Sequence, residues 1–104
     1  MKRIFISQPM KDKTDAEIKE ERNKIIEGCH REYGDDIEII DSFFESAPHD
    51  AKPLWFLAKS LELLATADIA VFSSGWDKAR GCIIEHDCAK AYGIEIEHAF
   101  CSYR

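Results

Sequence analysis

Four short apolar runs alternate with three stretches of helical periodicity, and this alternation leaves the chain few folds to adopt. The runs are Arg3 to Ser7 (RIFIS), Ile37 to Ile40, Ile69 to Phe72 and Ile94 to Ala99. The first helix is announced by Thr14-Asp15-Ala16-Glu17, the S/T-x-x-E pattern of a capping box, which starts it near Asp15. Ile18, Ile25, Ile26, Cys29 and Tyr33 form its apolar stripe, Lys19, Glu20, Arg22, Asn23, Lys24 and Glu27 read as its solvated face, and Gly34 stops it. Pro53 opens a second helix in which Leu54, Leu57, Ala58, Leu61, Leu64 and Ala65 recur at three- and four-residue spacing, the pattern of a core-facing helix. A third spans about Gly81 to Tyr92 and ends at Gly93.

The order β-α-β-α-β-α-β predicts an α/β fold: a parallel sheet of four strands, or five, with helices on both faces and right-handed crossovers. Residues 1–104 make one domain, long enough for a core and too short for a second fold. In such sheets ligands bind at the carboxyl ends of the strands. Here those ends are Ser7 to Met10, Asp41 to Phe44 and Ser73 to Gly81. Ser7, Gln8, Ser42, Ser73, Ser74, Trp76 and Arg80 can all face one crevice there, and the segment Ser46-Ala47-Pro48-His49-Asp50 extends the second of these loops to a length typical of binding elements.

Composition narrows the partners. Charged residues at 33% and a net charge of −6 argue against a protein that grips a nucleic-acid backbone, which needs a Lys/Arg surface. No run approaches a membrane span and MKRIFISQPM lacks a signal h-region, so the chain reads as cytoplasmic. Cys29, Cys82, Cys88 and Cys101 form no C-x-x-C pair and read as reduced thiols.

The third helix carries the oddity. At roughly 100° per residue, His86, Asp87 and Lys90 fall on one arc, and Cys82, Ile84, Cys88, Ala89, Ala91 and Tyr92 on the other. Glu85 lies in the middle of the apolar arc. A carboxylate aimed at a sheet is costly without a partner, so it is either paired with a buried cation or is an acid, base or nucleophile in a pocket. Gly81 brings the positive end of the helix dipole to the crevice, which favours anions and an ionised Glu85, and an ionised carboxylate beside an apolar wall suits a nucleophile. Arg80 is then an anion ligand or the partner of Glu85.

Other sites are missing. There is no Walker P-loop, and G-W-D-K-A-R-G lacks the dinucleotide spacing. Cys82 and His86 stand four apart, but His86 points to solvent on the wheel and Cys82 to its margin, so no metal site is read. The histidines supply no Ser-His-Asp or Cys-His set.

The opening IFISQPM, the Ala67-Asp68 pair, and above all GWDKARGCIIEH from Gly75 to His86, followed by Ala89 and Tyr92-Gly93, resemble the DUF4406 family. That family looks like a compact branch of the nucleoside 2-deoxyribosyltransferase superfamily, and the likeness covers nearly the whole chain. The resemblance implies a flavodoxin-like three-layer sandwich and cleavage or exchange of the N-glycosidic bond of a deoxyribonucleoside or its monophosphate. In those enzymes a Glu on this helix attacks C1′, which places Glu85 as nucleophile, and the N-terminal loop borders the ligand, which carries over to Ser7, Gln8, Pro9 and Met10. With Ser42, Gly75, Trp76, Arg80 and Gly81 these complete the expected substrate site, with Trp76 or Met10 against the base. No cofactor or metal is needed. The likeness, the exposed Ile83 and the Phe43-Phe44 pair point to a homo-oligomer. Ala79 stands where better-studied members place an Asp or Ser, and Ser60 where the transferases have an assisting acid, which weights hydrolysis against transfer. The rival readings are a nucleotide-binding module without chemistry and an NAD glycohydrolase.

Overall fold

The computed structural model describes residues 1–42 and 49–99. The elements are β1 (Lys2–Ser7), α1 (Asp15–Tyr33), β2 (Ile37–Ile39), α2 (Pro53–Leu64), β3 (Ile69–Phe72), a 3₁₀ turn (Trp76–Lys78), α3 (Arg80–Ala91) and β4 (Glu95–His98). The four strands make one parallel sheet in the order β2-β1-β3-β4, with Lys2 opposite Ile37, Ile4 opposite Ile69, and Ile69 opposite Glu95. This is an α/β fold, a flavodoxin-like three-layer sandwich.

The two-residue period of the strands divides the core in two. Ile4, Ile6, Ile69 and Val71 face α1, where Ile25 and Cys29 meet them. Phe5, Ala70 and Phe72 face the opposite way, onto Leu64 of α2 and Ala89 of α3. Every residue of β3 is buried, as a central strand covered on both faces requires, whereas β4 at the edge is half-buried at most.

The capping box of α1 forms as its sequence predicts. Thr14 Oγ1 accepts from the Glu17 amide at 3.1 Å, and Glu17 Oε1 accepts from the Thr14 amide at 2.8 Å. Thr14→Ala removes one half of this reciprocal pair and is expected to cost about 1 kcal/mol, read as a lower midpoint in urea with an unchanged slope.

Three expectations need correction. Arg22 is buried rather than solvated: it stands four residues after Ile18 and three before Ile25, on the covered stripe. Its guanidinium donates to the Ile40 carbonyl at 2.7 Å and to Ser42 Oγ at 3.3 Å, which satisfies the end of β2. The α2 helix is less core-facing than its spacing implies. Only Leu64 is buried, Leu54 is 72% exposed and Ala58 and Ala65 are exposed, because α2 reaches the core through its last turn. On α3, Ala91 and Tyr92 are exposed where the helix ends, although the wheel groups them with the apolar arc. Gly93 follows at φ +76°, the left-handed conformation that lets the chain turn back into β4.

Among the described residues, no helix is long and apolar enough to cross a membrane. Cys29, Cys82 and Cys88 are free thiols, while Cys101, the Phe43-Phe44 pair and the loop residues Ser46 to Pro48 lie outside the described residues.

Candidate functional site

Strands β1 and β3 are neighbours, yet the helices that follow them pack on opposite faces of the sheet: α1 on one, α3 on the other. The chain therefore parts beyond Ser7 and Phe72, which stand opposite each other in the ladder, and this is the switch point where open α/β sheets hold their ligands. The Ser73 amide donates to the Ser7 carbonyl at 2.9 Å and so extends the pairing to the lip of the opening.

Glu85 projects into this region from the second turn of α3 and is 7% exposed. Ser7 Oγ donates to its Oε1 at 2.5 Å, a charge-assisted bond from the end of the central strand. The Ser60 hydroxyl of α2 adds a second interaction that favours the ionised form. Burial opposes both and prevails, so the Glu85 pKa lies above the ordinary carboxylate value. The shift is opposite in direction to the one the helix terminus alone would give. Glu85 sits beyond the first turn, where the dipole fades, and desolvation acts on it directly.

Arg80 does not fork onto Glu85. It is the exposed first residue of α3 and, among the described residues, forms no ion pair with that carboxylate. The structural explanation of an inward Glu, a buried cation beside it, therefore does not hold here. Hydroxyl groups hold the charge instead.

The remaining predicted site residues divide into two groups. Gln8 and Ser42 are buried but hold the scaffold. Gln8 Nε2 donates to the Ile18 carbonyl at 3.2 Å and to Glu21 Oε1 at 2.9 Å, tying the end of β1 to α1, while its Oε1 is buried with no partner among the described residues. Ser42 Oγ donates to the Ile6 carbonyl at 3.3 Å and accepts from Arg22. Pro9, Met10, Gly75 and Trp76 stay on the rim. A Cβ on Gly75 would lie 3.7 Å from Pro9 Cγ, so the loops after β1 and β3 touch there, and Gly75 itself needs its φ of +86° to start the 3₁₀ turn. Met10 is exposed, and Gly81 is half-buried in the first turn of α3.

No family model, curated protein or solved structure matches the chain.

One cluster escaped the sequence reading. His86 does not point to solvent: its ring stacks on Trp76 at 4.0 Å between centroids with 8° between planes, meets the Phe72 edge at 4.9 Å, and lies 5.6 Å from His98. Burial, then the His98 charge, lowers the His86 pKa. The 3₁₀ turn, which folds Trp76 back over α3, is the cause, and the glycine before Trp76 is the signal for such a turn.

Two open grooves flank the loop after β3. The larger, about 550 Å³, is lined by Glu21, Lys24, Ile25, Arg31, Ser73 and Ser74, and the smaller, about 240 Å³, by Phe72, Ser74, Gly75, Trp76, Asp77 and His98, among other residues. Among the described residues, neither is lined by Glu85, and no group of three His, Cys, Asp or Glu side chains could hold a metal.

Proposed function

We propose that the chain cleaves or exchanges the N-glycosidic bond of a deoxyribonucleoside or its monophosphate, with Glu85 as nucleophile, as the resemblance to the DUF4406 and nucleoside 2-deoxyribosyltransferase proteins implies. The observation that carries this reading is a carboxylate buried at the switch point, held by the Ser7 hydroxyl at 2.5 Å and without a cationic partner among the described residues. Such a group is expensive to keep for packing alone.

The chemistry is a double displacement. A Glu85 oxygen attacks C1′, the C1′–N bond breaks, and the base leaves with the electron pair and takes a proton from water. Water or a second base then attacks C1′, the C1′–O(Glu85) bond breaks, and the carboxylate is regenerated. A metal is not required for either step. Ser60, in place of an acid, stabilises the carboxylate and offers no strong proton donor to the leaving base, which favours hydrolysis of substrates whose base departs readily. Trp76 and Met10 on the rim are the candidates for contact with the base, and Arg80 and Gly81 for an anionic group of the ligand. The exposed Leu54 and Ile83 fit burial against a second copy of the chain.

Incubation with the four deoxyribonucleosides and their monophosphates is expected to release free base and to leave a deoxyribosyl adduct on Glu85, located by mass spectrometry of peptides. If neither base nor adduct appears with any of the eight compounds, the proposal is wrong. A second reading, a nucleotide-binding module without chemistry, draws on the grooves that do not open onto Glu85. Binding by calorimetry with no base release would favour it.

A further inference from the structure

We infer that Ser7 acts on Glu85 and not on the ligand: its one hydroxyl proton is committed to the carboxylate, which makes Ser7 the positioning residue of the nucleophile. This rests on the reading of Glu85 as nucleophile, and it takes Ser7 out of the substrate-contacting loop in which the sequence places it.

The geometry leaves Ser7 little freedom. It is 2% exposed, stands opposite Phe72 in the parallel ladder, and its carbonyl accepts from Ser73. Its Cα is therefore fixed by the two central strands. Glu85 reaches the same point on a long side chain with three rotatable bonds, so the rigid partner sets the position of the flexible one. A serine hydroxyl has one proton and two lone pairs. With the proton given to Glu85 Oε1 at 2.5 Å, Ser7 can only accept from other groups.

Cys82, three residues before Glu85 on α3, interacts with the same Ser7 hydroxyl. Burial pushes its thiol up to about 11, so it keeps its proton at neutral pH. With the Ser7 proton donated to Glu85 Oε1, the hydroxyl couples Cys82 and Glu85 into one buried chain of groups. The other groups facing this chain are Ser60 from α2 toward Glu85, and Glu21 and Lys13, whose charges act on Cys82.

The arrangement has a direction in the reaction. A hydroxyl donor binds a carboxylate more strongly than the neutral ester formed on glycosylation. When water attacks C1′ in the second step, the C1′–O bond breaks, its electron pair returns to Glu85, and the water proton passes to solvent. The bond from Ser7 strengthens as that charge returns and so assists release of the sugar.

Ser7→Ala and Ser7→Thr test this in the full chain. In Ser7→Ala the Glu85 midpoint, followed by carboxyl carbon NMR, is expected to move up, the acid limb of the rate profile to move with it, kcat to fall about tenfold, and KM to fall in parallel, because slower release of the sugar leaves kcat/KM unchanged. The fraction of enzyme carrying the sugar adduct rises, and Ser7→Thr, which keeps the hydroxyl, restores the midpoint. An unmoved midpoint overturns the inference, and so does a raised KM at unchanged kcat, which would make Ser7 a ligand contact. The titration needs no turnover. A midpoint that moves in a protein that never releases base would support the role of Ser7 on the carboxylate and overturn the proposed activity instead.

Discussion

Glu85→Gln is expected to abolish base release, by at least about a thousandfold, and to leave the melting temperature unchanged or higher. The two halves of this result come from one cause. Glutamine keeps the shape and the acceptor oxygen facing Ser7 but has no charge with which to attack C1′. It also removes the cost of an ionised group in a site that burial disfavours. The sign follows from linkage. The folded-state pKa of Glu85 lies above its unfolded value, so between the two the folded chain binds more protons. Stability contributed by the protonated form is therefore lost as pH rises through that interval, and the full penalty is present above it. An amide does not titrate. The difference in melting temperature between the two proteins is then largest above the Glu85 midpoint and shrinks below it, a comparison made by calorimetry across pH.

A structural Glu85 gives the opposite pattern. If the carboxylate were present for packing, the substitution would lower the melting temperature, as breaking a buried pair does. Base release undiminished in a well-folded Glu85→Gln protein would remove the nucleophile assignment outright.

Much of the scaffold is readable in the sequence because its signals are local. Ile69 to Phe72 is a short apolar run between turn signals, and it is a strand with those bounds. Thr14 and Glu17 cap α1 through bonds that span three residues. Glu85 turns inward because helical spacing fixes its face, whatever its charge. What sequence reading misses depends on what lies across the gap. Arg22 occupies a buried position by spacing, but its charge argues for solvent, and only the Ile40 carbonyl and Ser42 at the end of β2 resolve the conflict. His86 lies on the outer arc of α3 until Trp76 folds over it. The face of α2 has helical periodicity, and periodicity does not say whether anything covers it. For Glu85 itself, the inward direction is legible and the sense of the pKa shift is not, because desolvation depends on the whole surround while the dipole is visible in one helix.

The second large effect is expected at Phe72, where scaffold and site meet. Phe72→Ala should lower stability by about 3–5 kcal/mol, the usual range for emptying a buried phenylalanine site. That is a large fraction of the roughly 5–15 kcal/mol available to a domain. Phe72 is fully buried among Phe5, Leu64, Ala70 and Ala89, and its ring supports His86 at 4.9 Å and Trp76 at 5.8 Å. Its backbone cannot move to fill the space, since Phe72 pairs with Ser7 on one side and its carbonyl accepts from Ala99 at 2.7 Å. The cavity therefore stays open, and collapse can come only from Trp76 and His86 sliding inward. Such a slide moves the 3₁₀ turn and the start of α3, so base release should fall even at temperatures where the variant is folded. Urea unfolding at 25 °C measures the first effect. Glu20→Ala on the solvated face of α1 is the control, with an expected change near zero. A loss below about 1 kcal/mol at Phe72 would mean that the sheet and α3 close over the gap, and that the ladder between β1 and β3 does not hold the switch point rigid.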